Sequence, residues 1–331
     1  LVAWGVWRTA LKARGEFARE GIAWGELRWD WLASAMFLYL VGTFPSCVFW
    51  WQTLRAMGQR PAFGETLRAY YIGHLGKYVP GKALVVVLRT GLIRGERVDT
   101  TVAAASVFVE TLTLMAVGAV VAAGIFATLI ETQPGFILLA LFLAACAGIP
   151  TYPPLFRRVV RFLQVHRANP DIDKAIDGLT AKLMGLGWLL ISLGWLFLGL
   201  SLWATAQAIP GVVTLPTLND LPLLTAAVAL AMVAGFLSLL PGGIGVRELI
   251  VIPLLEPQFG PVVAIISAVL LRINWMVAEL LFAGILYFAV RRPGERGQTS
   301  LTTVAGVESS SPQTLHHAGG SKTRPQPPAE S

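Results

Sequence analysis

Of the 331 residues in the chain, 55% are hydrophobic and only 14% charged, well under the roughly 25% charged residues of an ordinary soluble domain. That excludes a soluble enzyme or binding module and points to an integral membrane protein. The net charge, 26 basic minus 19 acidic residues or +7, marks cytoplasmic loops in such a protein, not a nucleic-acid partner.

Residues 1–30 mix five basic and four acidic side chains without an apolar core of signal-peptide length, so the chain is expected to begin partway into a longer protein. Crossing the hydrocarbon takes roughly 20 apolar residues. The run 31–51 meets that length, with Trp31 and Trp51 as interfacial anchors. Cys47 within it and Cys146 far downstream have neither disulfide nor metal spacing. Residues 66–98 fail as a span because Pro80-Gly81 breaks them. Residues 102–130 are long enough to tilt, and 136–152 are shorter but adequate. A basic connector follows at 155–184, where Val159, Val160, Phe162 and Leu163 suit either an amphipathic helix on an anionic leaflet or a plain solvated linker. Spans are expected at 186–209, 221–240 and 261–290. Between the last two, 241–257 reads as a glycine loop and a short apolar stretch. Residues 291–331 are rich in Ser, Thr, Gly and Pro and are expected to be a disordered tail, in which His316 and His317 have no ligand role.

The fold class expected is therefore an all-α, polytopic membrane bundle with two broken or re-entrant segments, occupying 31–290. Connections 131–135, 210–220 and 256–260 contain no Lys or Arg, whereas 53–97 contains eight and 155–184 six. The basic side and the C-terminus are expected to be cytoplasmic.

The two breaks resemble each other. Pro80 is followed at offsets of 23 and 26 by Ala103 and Ser106, and Pro241 at the same offsets by Ala264 and Ser267. Interrupted segments in corresponding halves of a membrane protein point to a site at a repeat interface. Ionisable residues cluster around them: Lys77, Lys82, Arg89, Arg247 and Arg272 against Glu110, Glu248 and Glu279, with His74 nearby. Each costs at least about 2.5 to 3.5 kcal/mol at the bilayer centre, so each needs a partner or a function. Internal ion pairs, or snorkelling of Lys77 and Lys82 to the headgroups, are the structural alternatives to a ligand. The positive excess suits an anion.

PGGIGVRE, residues 241–248, is the sharpest signal. Glycines allow a tight turn and close approach of a ligand, and a helix starting there opens with unpaired amides and a positive dipole end. Gly242, Gly243 and Gly245 beside Arg247 and Glu248 thus form a candidate phosphate or carboxylate seat, the alternative being a packing break of small residues. No Gly-Lys-Ser/Thr follows, and neither His-Glu-x-x-His nor a nucleophile with base and orienter occurs. No catalysis and no cofactor are expected.

RAYYIGHLGKYVPG at 68–81, Arg89, Glu110 in ASVFVETLTL, PGGIGVRE, and a last span with Arg272 and Glu279 together resemble the lysylphosphatidylglycerol synthase transmembrane-region family over about residues 24–290. In its best-known members this region moves an aminoacylated phosphatidylglycerol between leaflets after a separate soluble domain has made it. The 41 residues after 290 are too few for that domain, so the resemblance implies translocation or binding of a lipid in a bacterial cytoplasmic membrane, without synthesis. It implies an anionic phospholipid or lipid-linked substrate, with a homo-oligomer or a separate synthase or glycosyltransferase as partner. The residues expected to meet the ligand are Lys77, Tyr78, Lys82, Arg89, Glu110, Gly242, Gly243, Gly245, Arg247, Glu248, Arg272 and Glu279. Cations would hold the headgroup phosphate, while acids balance them or meet a cationic substituent. The competing reading is a membrane scaffold that recruits a cell-envelope enzyme through the basic connector, its internal charges serving structure.

Overall fold

The computed structural model describes residues 24–79, 83–129, 134–149, 172–212 and 214–290, together with 15, 155, 156, 158 and 162. Most of the 1–30 segment, Pro80-Gly81-Lys82, most of the basic connector, and the tail lie outside the described residues. Among the described residues there is no β-strand, and the elements are helices: α1 (Trp29–Ala56), α2 (Phe63–His74), α3 (Ala83–Ile93), α4 (Thr100–Thr128), α5 (Pro134–Gly148), α6 (Ile172–Asp177), α7 (Ala181–Gln207), α8 (Leu221–Leu237) and α9 (Glu248–Ala289). The chain is an all-α polytopic bundle, with five helical stretches long and apolar enough to cross a membrane.

The expected spans reappear with two differences. Helix α5 has 15 residues, which at 1.5 Å per residue is shorter than a 30 Å hydrocarbon core, and residues 150–152 of the expected span 136–152 lie outside the described residues. Pro150, Pro153 and Pro154 just beyond it have no amide proton with which to continue a helix. The stretch after the glycine loop is not separate from the last span either. It runs into it as α9, kinked at Gly260 (φ 79°, ψ 165°), where Pro257 and Pro261 also interrupt the backbone ladder.

Lipid tails are as apolar as leucine, so helices associate in a membrane by close packing and internal hydrogen bonds. Helices α1 and α7 pack along their length, with Gly42 facing Gly194 so closely that a Cβ on Gly194 would stand 2.5 Å from the Gly42 carbonyl oxygen. Helix α8 is apolar all round and accordingly lies in the centre, against α4, α7 and α9. Indole and hydroxyl groups satisfy each other inside: Trp275 Nε1 donates to Ser201 Oγ at 2.9 Å, and Ser201 in turn donates to the Ala35 carbonyl at 2.8 Å.

Next to each break lies a 3-10 turn packed inside the bundle. After α2 the chain tightens into a 3-10 turn, Leu75–Tyr78, which packs against the second turn, Pro241–Gly243. A Cβ on Gly76 would lie 2.7 Å from the Val85 amide nitrogen, so this glycine is what lets the first turn lie on α3.

Candidate functional site

The second turn requires its glycines: Gly242, Gly243 and Gly245 have φ of 58°, 67° and 85°, a region other residues rarely adopt. The turn leaves Arg247 at the head of α9. Its stem threads past Gly235 and Gly243, where an added Cβ would meet the Arg247 Cγ or Nε at about 3.0 Å. The amides here are not a vacant anion seat as the sequence suggested. Glu248 accepts the Gly245 amide at 2.9 Å through Oε2, and the Arg247 and Leu249 amides donate to the carbonyls of Gly243 and Gly245.

Three buried ion pairs surround the turns. Arg89 on α3 reaches Glu110 on α4 at 2.6 Å. Arg272 reaches Glu248, both on α9, at 3.0 Å. Lys77, on the first turn, pairs with Glu279 of α9, and the Tyr39 hydroxyl of α1 donates to the same carboxylate oxygen. Lys77 is therefore turned inward to a partner rather than snorkelling. Arg272 and Glu279, two turns apart on one helix, do not pair with each other. In each half, a residue of the short helix after the break binds the long segment that follows, with the signs exchanged: Arg89 to Glu110, then Glu248 to Arg272.

Aromatic groups line the first pair. The Arg89 guanidinium lies 4.0 Å from the Tyr70 ring centroid and 5.4 Å from that of Trp50, while the Tyr70 hydroxyl donates to Glu110 at 3.4 Å. His74 stands between two of the pairs, its Nδ1 3.4 Å from Arg89 Nη2 and its Nε2 3.8 Å from Glu279.

Lys77, Arg89, Glu110, Gly242, Gly243 and Arg247 line one cavity of about 400 Å³, with His74 in its wall. Behind Arg247, Glu248 and Arg272 line a separate space of about 30 Å³, the size of a water molecule or two. Tyr78 is not itself part of either lining; its ring packs behind Gly242 and Lys77, with the Lys77 ammonium 5.2 Å from its centroid. Gly245 and Glu279 also stand outside the lining, and Lys82 lies outside the described residues. Within the larger cavity, Lys77 and Arg89 have carboxylate partners. Arg247 forms no ion pair or side-chain hydrogen bond among the described residues, and its Nε is buried without a partner. The sequence reading missed Tyr39, Tyr70 and Trp50. A phenol inside an apolar span needs a partner, and that was the available signal for Tyr39.

No cluster of metal-ligating side chains occurs among the described residues. A family model described as lysylphosphatidylglycerol synthase TM region matches residues 2–290, reaching further forward than the motifs themselves. No curated protein matches the chain.

Proposed function

Since the chain belongs to the lysylphosphatidylglycerol synthase TM region family, we propose that it binds the anionic headgroup of a phospholipid or lipid-linked molecule and carries it across a bacterial cytoplasmic membrane without chemical change. One observation carries this reading: among the described residues that line the cavity, Lys77, Arg89 and Glu110 have ion-pair partners and the Arg247 guanidinium has none. Among the described members of the charged set, Lys77, Arg89, Arg247 and Arg272 against Glu110, Glu248 and Glu279 leave one positive charge over. Arg247 is half-buried as a residue, but its Nε is buried, and a buried N–H donor without an acceptor is expensive. A phosphate would supply both the counter-ion and acceptors for a bidentate contact. The cavity, about 400 Å³, is within the size range of small-molecule sites, large enough for a headgroup. The acyl chains remain in lipid while the headgroup crosses.

The test begins with the lipids that copurify in mild detergent, identified by mass spectrometry. The native protein is expected to retain an anionic lipid enriched over the bulk membrane. Arg247→Ala should lose it, with affinity falling by about 10- to 100-fold for a charge-assisted hydrogen bond of about 1.5 to 3 kcal/mol. Arg247→Lys keeps the charge but not the fork, and should retain part of the enrichment. Bulk-composition lipid in all three would reject the headgroup site and favour the scaffold reading.

A further inference from the structure

The cavity that holds Arg247 is lined by both charged and apolar side chains. Beyond the cations its wall is apolar, built from Val85 and Val86 of α3, Phe108 and Leu112 of α4, and Phe236 and Leu239 at the end of α8. Phe108 and Leu239 also face outward, 52% and 67% exposed, so the apolar wall continues to the outer surface of the bundle. Leu239 adopts φ 58°, the one positive φ of a non-glycine among the described residues. For such a residue this conformation costs roughly 1 to 2 kcal/mol. Burial of its side chain does not offset that cost, and backbone strain of this kind clusters at ligand clamps and switch regions.

We propose that this wall is a lateral portal, with Phe108 and Leu239 as its lips, through which one acyl chain stays in the bilayer while the headgroup of the same lipid reaches Arg247. The inference rests on the lipid reading above and adds where the chain lies. A headgroup cannot be separated from its hydrocarbon, so a closed cavity would force the chain against Lys77 and Arg89. A mouth of valine, phenylalanine and leucine accepts it at no desolvation cost. A soluble anion entering the same way would shed its hydration against apolar side chains.

The test uses single thiols in a Cys146→Ser background, since Cys146 is exposed whereas Cys47 is buried. Phe108→Cys, Leu239→Cys and, as control, Phe142→Cys on the exposed face of α5 are reconstituted in vesicles of phosphatidylglycerol and phosphatidylcholine. Transfer of a fluorescent phosphatidylglycerol and binding of glycerol 3-phosphate are measured before and after reaction with a bulky, membrane-permeant maleimide. Each unlabelled variant serves as its own folding control. Modification at 108 or 239 is expected to stop lipid transfer and spare glycerol 3-phosphate binding, while modification at 142 changes neither. Transfer that survives modification of both lips overturns the portal. So does loss of glycerol 3-phosphate binding together with transfer, which would make the mouth a route for the headgroup alone. Unlabelled Cys146→Ser protein, with both lips native, that neither moves the lipid nor binds glycerol 3-phosphate refutes the proposed function itself, and the portal falls with it.

Discussion

At the level of single residues, the buried acids behave as two kinds of group. Glu110 is fully buried and held by Arg89, Tyr70 and Thr111, so its charge is accounted for inside the protein. Removing one member of such a pair leaves the other buried and uncompensated. Arg89→Ala is therefore expected to destabilise the protein by about 3 to 5 kcal/mol, and Arg89→Met combined with Glu110→Leu to recover most of it. Thermal unfolding in detergent of the single and double variants checks this; a single variant as stable as native would mean the pair contributes nothing. Loss of transport in Arg89→Ala alone would thus report on folding as much as on a ligand, which makes Arg247 the cleaner probe. Glu279 is different, because one oxygen takes both Lys77 and Tyr39 while Oε2 has no partner. Tyr39→Phe removes one charge-assisted bond and is expected to cost about 1.5 to 3 kcal/mol by the same unfolding measurement. The sequence made the eight ionisable residues visible because each interrupts an apolar run. It could not pair them, since Lys77 and Glu279 are separated by 202 positions.

At the level of elements, glycine decides how closely the broken segments approach their neighbours. Gly76→Ala would press a methyl group into the backbone of α3, with Leu84 and Val85 both under 3.0 Å from the new atom. Neither can move as a flexible side chain would, so a loss of about 1 to 3 kcal/mol is expected. The displaced turn should also pull Lys77 from Glu279. On the same helix α3, Gly91 has open space around it, and Gly91→Ala should raise stability by about 0.5 to 1 kcal/mol. Comparing the two midpoints separates close packing from helix propensity, and equal shifts would contradict the packing account. The breaks at Pro80 and Pro241 were legible because proline and glycine punctuate helices locally. The hold of Glu248 on the Gly245 amide was not, because it depends on where the side chain turns after the helix has formed.

At the scale of the whole molecule, the basic loops are expected to lie on the cytoplasmic side. A membrane-impermeant maleimide is expected to label Asn219→Cys from outside intact cells and Glu96→Cys only after permeabilisation, again in the Cys146→Ser background; both native positions are exposed. The reverse pattern would invert the orientation and with it the leaflet from which the cavity fills. The sequence by itself determined that the chain is a helical membrane protein, where its long spans run, that they are interrupted twice, and which residues carry intramembrane charge. All of these follow from local physics: the hydrocarbon thickness, the backbone chemistry of proline and glycine, and the cost of an ion in lipid. Only the tertiary structure decided that the turns Leu75–Tyr78 and Pro241–Gly243 touch and that, among the described residues, three acids are matched to three cations while Arg247 has no counter-ion beside an apolar wall. Those facts depend on which helix faces which, and that is settled by packing between segments far apart in the chain.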